Sequence, residues 1–179
     1  MDQLKIHHHV KVAPGKFEPV MTFGRAHEPD ETIDVIVIRT AEHQRTLRLS
    51  GEHFIWLKQK PAVEWEWKRA SGITTGDMVL VVNPDEFMVE DSVLSIVKEV
   101  KQGMFSPVTP SGQIVVDAVL VSAYSTPTLS HESMHLLMAP FRMIYAIAPS
   151  LFDLVDHKKV ERMLHHGLHA FHIMTGATP

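Results

Sequence analysis

The sequence predicts a mainly β body over residues 1–125, followed by C-terminal α-helices over residues 126–179. Three observations predict it. Short β-branched or alternating runs are separated by turns rich in Gly, Pro and Asn. After Ser130 the apolar spacing changes to three and four residues, the period of a helix. An apolar strand pattern also occurs twice, which suggests two similar β units about a shared pseudo-two-fold axis.

The elements follow in order. Ile33 to Thr40 is a β-branched run, and Thr46 to Ser50 alternates in polarity. His53 to Lys58 continues that pattern. Val63 to Lys68 alternates with period two, placing Val63, Trp65 and Trp67 on an apolar face and Glu64, Glu66 and Lys68 on a wet one. Met78 to Val82, Ser92 to Val100 and Gln113 to Ala123 read as further strands. Pro14-Gly15, Ser71-Gly72, Asn83-Pro84-Asp85 and Pro107 to Gly112 read as turns between them. The repeat aligns Leu4 to Val12 on Ile73 to Val81 without a gap, and an aromatic, Phe17 or Phe87, opens the strand after each copy. Beyond Ser125-Thr126-Pro127, the stripe Met134, Leu137, Met138, Phe141, Ile144, Tyr145 and Ala148 is helical. Pro140 is expected to kink or split that helix. A second helix is expected from Asp156 to Met174, with Val160, Leu164, Leu168 and Phe171 as its core face.

Composition narrows the function classes. Hydrophobic residues make up 45% of the 179 and charged residues 21%, values of a globular chain rather than a disordered one. The formal net charge of -4 leaves no basic excess to neutralise phosphates, so a nucleic-acid partner is disfavoured. The most apolar stretch, Leu136 to Phe152, is interrupted by Pro140, Arg142 and Pro149 and is too short to span a bilayer. The absence of cysteine removes disulfides, thiolate metal sites and a cysteine nucleophile from these residues. Among the 13 histidines, His7-His8-His9 and the trio His165, His169 and His172 invite a metal reading. Neighbours on a strand point to opposite faces, so the first run cannot easily converge on one ion. The second has no carboxylate spaced to orient its imidazoles, and a solvated helix face accounts for it. No cofactor or metal is therefore expected.

Four segments resemble the hedgehog-type autoprocessing domain, whose Hint fold is shared with inteins. They are Met21-Thr22-Phe23, Leu49 to Phe54, Gly72 to Val82, and the long stretch Pro107 to Tyr124 with the later Leu136 to Arg142. The resemblance covers roughly residues 2–155 and rests on the order and spacing of all four. It implies a Hint β fold with a pseudo-two-fold repeat, ending in helices like the sterol-recognition segment. It also implies self-cleavage: a cysteine attacks the preceding carbonyl, and the resulting thioester passes its acyl group to a nucleophile.

By the same resemblance, Ser50 and His53 stand where the family has its Thr-x-x-His block. Ser50 would polarise the scissile amide, and His53 would protonate the leaving nitrogen, its charge changing near neutral pH. His27 or Glu28 would be the base that activates the acyl acceptor. The sequence also departs from the pattern. It starts at Met1, already past the expected Cys-Phe opening strand, and Ala123 replaces a second cysteine in Ser122-Ala123-Tyr124. His7-His8 replaces a Gly-Asp turn. The expectation is a cropped or degenerate self-processing domain, inactive as it stands. Its partners would be its own N-terminal domain in a longer precursor and a sterol or other lipid. A hedgehog-like precursor would be secreted. The alternative is a non-catalytic module that binds lipid or protein through its helices.

Overall fold

The structure, a computed structural model, describes residues 4–26, 32–62, 64–103 and 105–153. The strands are β1 (His9–Ala13), β2 (Lys16–Pro19), β3 (Thr22–Ala26), β4 (Thr32–Thr40), β5 (Thr46–Ser50) and β6 (His53–Lys58). They continue as β7 (Glu66–Arg69), β8 (Met78–Val82), β9 (Met88–Gln102), β10 (Phe105–Val108), β11 (Gln113–Val116) and β12 (Val119–Ser125). Helices α1 (His131–Leu137) and α2 (Ala139–Ile147) follow, with a final 3-10 turn at Pro149–Asp153. The chain is therefore mainly β with helices at the C-terminal end of the described residues. The helix expected over 156–174, with its three histidines, lies outside them.

An eight-stranded sheet runs in the order β11-β12-β6-β8-β9-β4-β5, with β7 paired to β6. Two further pairs, β1–β2 and β3–β10, complete the body. Strand β9 joins the two halves of the large sheet: Met88 to Ser92 pair with β8, and Val93 to Gln102 pair with β4. Its length is why the sequence, read as Ser92 to Val100, understated it. The main core fills with the inward residues of these strands, among them Ile38, Leu47, Ile55, Leu57, Val79 and Val81. Each is removed almost wholly from water, contributing on the order of 1.5–3 kcal/mol.

The internal repeat is reproduced bond for bond. Strands β1 and β8 begin and end at aligned positions, His9 with Met78 and Ala13 with Val82. In the first copy His7 N–H donates to Val20 O, and Val20 N–H to His8 O. In the second, Gly76 N–H donates to Val93 O, and Val93 N–H to Asp77 O. His7 takes φ +65° where Gly76 takes +89°. His8 Nδ1 accepts from Lys5 N–H at 3.3 Å, as the Asp77 carboxylate accepts from Thr74 N–H at 2.8 Å. So an imidazole replaces the carboxylate of the Gly-Asp turn. A left-handed His is strained by about 1 kcal/mol or more. It is held there by a 2.7 Å hydrogen bond between His7 Nδ1 and Tyr145 OH and by stacking of the two rings.

Other sequence expectations also need correction. Gln113 to Ala123 is not one strand but the hairpin β11–β12, because Asp117 and Ala118 both adopt positive φ, 49° and 67°, and turn the chain in two residues. Alanine is a poor marker for that turn, so the apolar run concealed it. Pro107 and Val108 are in β10 rather than in a turn. Strand β7 starts at Glu66 instead of Val63, though Trp65 and Trp67 are half-buried and Glu64 and Glu66 exposed, as the alternation required.

Pro140 splits the expected helix into α1 and α2, sitting in the first turn of α2 where its missing N–H is harmless. Ser130 caps α1 by accepting from Ser133 N–H at 3.1 Å. A second core cluster joins the helices to the body: Met21, Val108 and Tyr124 meet Met134, Met138, Tyr145 and Phe152. Leu137 and Ile144, placed inward by spacing, are 39% and 46% exposed. Met134, Met138 and Tyr145 of the same stripe are buried in the cluster, with Phe141 packed partly against it.

Candidate functional site

Strand β5 ends at Ser50 and β6 begins at His53, with a two-residue turn at Gly51-Glu52 between them. That tight connection brings positions three apart to one side, and Ser50 Oγ lies 2.8 Å from His53 Nδ1. The sequence paired these two residues, and the structure places them in direct contact. His53 is buried, and burial alone pushes its pKa down to about 4. The imidazole is therefore neutral at neutral pH. This changes the acid role expected of it: a neutral ring must first take a proton before it can deliver one as imidazolium.

Two hydroxyls complete the site that sequence reasoning did not single out. Ser106 Oγ, on β10, lies 3.4 Å from His53 Nε2. Ser125 Oγ, at the end of β12 and in register with His53, lies 3.4 Å from Ser50 Oγ. Both come from remote parts of the chain, and nothing in the local pattern at Phe105-Ser106-Pro107 or at Ser125 marks them. Strand register joins them. A register shift in the β3–β10 pair occurs at Ser106, and another lies between Val121 and Ser125 in the β12–β6 pair.

The result is an imidazole with a hydroxyl at each nitrogen, in a site where His53 and Ser106 are almost fully excluded from water. Such a group can carry a proton between an attacking and a leaving atom, while Ser50 Oγ–H can donate to a developing oxyanion. His27 and Glu28, of which one was expected to activate the acyl acceptor, both lie outside the described residues. Ala123, where the resemblance puts a second cysteine, is buried in β12.

A histidine cluster lies at the helix junction. His131 stacks on Trp67 with centroids 4.2 Å apart, and meets Phe54 edge-on at 6.0 Å. Burial pushes its pKa down, and also that of His135, which sits beside the Arg142 guanidinium. Tyr124 OH bonds His135 Nδ1 at 3.0 Å. Among the described residues no cluster of three or more His, Asp or Glu is disposed to hold a metal ion. His7 Nδ1 is engaged with Tyr145 OH and His8 Nδ1 with the Lys5 backbone. No helix of the described residues is long and apolar enough to cross a membrane.

Comparison with known proteins is consistent with this geometry. The sequence profile of the Hint module matches residues 10–174. The Tiggy-winkle hedgehog protein of Danio rerio is 33% identical over 128 residues, covering 70% of this chain and 30% of that protein. Protein qua-1 of Caenorhabditis elegans is 28% identical over 178 residues, covering 90% of this chain and 15% of that protein. The chain thus spans less than a third of these relatives' length. Among solved structures, a DnaB intein from Synechocystis sp. PCC 6803 matches with a TM-score of 0.53 at 15% identity, covering 69% of this chain and 84% of the intein. The gp41-1 intein matches with a TM-score of 0.52 at 11% identity, covering 68% and 84%. At those identities the likeness is one of fold.

Proposed function

The chain belongs to the Hint family, of the hedgehog and intein type, and we propose that it is the processing domain of a longer precursor that cuts itself by an acyl shift. The observation that carries this reading is the 2.8 Å contact between Ser50 and the buried His53, at positions that resemble the family's Thr-x-x-His block. An amide is a poor acyl donor. Its carbonyl must be polarised and its nitrogen protonated before the bond breaks.

In this reading a nucleophile supplied by a preceding segment attacks the scissile carbonyl. His53, neutral in its buried site, takes the nucleophile's proton. Ser50 Oγ–H donates to the oxyanion. The imidazolium then gives its proton to the leaving nitrogen as the carbon–nitrogen bond breaks. An ester or thioester and a free amine result. Water or an alcohol then takes the acyl group. These 179 residues hold no cysteine, so by themselves they supply no thiol for the first step.

The test is to fuse an upstream segment ending in Cys-Phe and to follow cleavage with and without added thiol. Thiol-dependent cleavage that His53→Ala slows severely supports the reading. Cleavage unchanged in His53→Ala sinks it.

One observation favours a second reading, lipid binding by the helices. Leu136, Met143, Ile144, Ile147 and Leu151 are exposed around α1, α2 and the final turn, with Leu136 at 74% and Ile147 at 82%. Sterol-containing vesicles that retain the protein, and fail to retain an Ile147→Glu, Leu136→Glu variant, would support it. Equal retention of both would end it.

A further inference from the structure

Ser106 is a buried hydroxyl that the acyl-shift chemistry leaves unassigned. It is 3% exposed on β10, and among the described residues its side-chain hydrogen bond is the 3.4 Å one to His53 Nε2. A neutral imidazole carries one N–H and one lone pair, and which nitrogen holds the proton depends on its neighbours. The two hydroxyls beside this ring are not equivalent. Ser50 Oγ has Ser125 Oγ as a second neighbour at 3.4 Å, so it can accept from Nδ1–H and donate onward to Ser125. Ser106 has no such second side-chain partner among the described residues. A buried hydroxyl hydrogen needs an acceptor, and the lone pair facing it is on Nε2.

We propose that Ser106 is a positioning residue that fixes His53 in its Nδ1–H tautomer. In the resting site Ser106 Oγ–H donates to Nε2, the lone pair that takes the nucleophile's proton during the reaction, and Nδ1–H is presented to Ser50 Oγ, on the side where the Thr-x-x-His reading puts the scissile amide. The proposal rests on that reading for its catalytic consequence, though the tautomer itself does not. With the hydroxyl removed, Nε2 loses its partner, and Ser50 can serve either form because it both donates and accepts. The ring is then free to populate both tautomers.

The measurement is a long-range proton–nitrogen NMR spectrum of the chain at pH 7, with the His53 ring identified by its loss in His53→Gln. The expected result is a protonated Nδ1 and an unprotonated Nε2 in the parent. Ser106→Ala should move both nitrogen shifts toward intermediate values, and Ser106→Thr, which keeps the hydroxyl, should restore them. A protonated Nε2 in the parent overturns the proposal whether or not Ser106→Ala folds. So does a Ser106→Ala spectrum identical to the parent. In the fused precursor, Ser106→Ala should slow cleavage by roughly three- to tenfold, the range of one hydrogen bond, with Ser106→Thr recovering it. Failure of the two hypotheses is distinguishable. Cleavage indifferent to His53→Ala removes the processing reading, whereas an Nε2–H ring in a precursor that needs His53 removes only the tautomer assignment.

Discussion

Acidification should destabilise this protein through His53, and the size of the effect follows from its burial. The folded-state pKa is about 4 against an ordinary 6.5, lowered by desolvation. Below pH 6.5 the unfolded chain takes up the proton and the folded chain does not, so the proton favours unfolding. The full contribution is present above pH 6.5 and is lost as pH falls toward 4. At about 1.36 kcal/mol per pH unit, the total loss is about 3 kcal/mol, of which about 2 kcal/mol is gone by pH 4.5. That is a large share of the 5–15 kcal/mol typical of a folded domain. The assay is urea unfolding of the parent and of His53→Gln at a series of pH values from 7 to 4.5. Depressed pKa values at His131 and His135 act in the same direction. They are common to both proteins and cancel in the difference. The expected result is a parent that loses about 2 kcal/mol more than the variant across that range. Parallel pH profiles would refute the claim that His53 is held neutral by the fold.

Other outcomes follow from the packing. Gly112→Ala should be severe, about 3 kcal/mol or more in chemical denaturation, because its φ is +72° and a methyl there would lie 2.6 Å from Tyr124 Cε2 and 2.9 Å from His135 Nδ1. A loss under 1 kcal/mol would mean that the Tyr124–His135 pair is not seated as described. Removing the Ser130 cap with Ser130→Ala should lower stability by about 1 kcal/mol, read as a shift in denaturation midpoint at constant slope. Asp91 is fully buried and accepts from the backbone N–H of Glu42 and His43. Burial pushes its pKa up, but these bonds, with those from Thr40 and the His43 ring, hold it below the usual range. Asp91→Ala should therefore remove about 2–4 kcal/mol, since it leaves two backbone donors unpaired. Finally, the φ of His7 makes its two substitutions informative. His7→Gly should be less harmful than His7→Ala by about 1 kcal/mol, as both lose the Tyr145 hydrogen bond but only Gly relieves the left-handed strain. Equal losses would place no strain at this turn.

The single sequence already carried the fold class, the strands Thr46–Ser50, His53–Lys58 and Met78–Val82 to the residue, the repeat and its register, and the pairing of Ser50 with His53. All of these are local. Alternation and β-branching write a strand into five or six residues, and the pairing of Ser50 with His53 followed from the resemblance of that short segment to the family's Thr-x-x-His block. The hairpin at Asp117-Ala118 escaped because an apolar run hides a turn made without Gly or Asn. Leu137 and Ile144 were misplaced because the stripe drawn by spacing was wider than the face that packs on the body, which takes Met134, Met138 and Tyr145. Only the tertiary structure brought Ser106 and Ser125 to the Ser50–His53 pair, and His7 to Tyr145. Those meetings depend on strand register and on two register shifts, which a sequence encodes through the packing of the whole body and not at the residues concerned. Burial decided the rest. The same histidine that titrates near neutrality in water is neutral here, because the surrounding strands withhold the water that would solvate its charge.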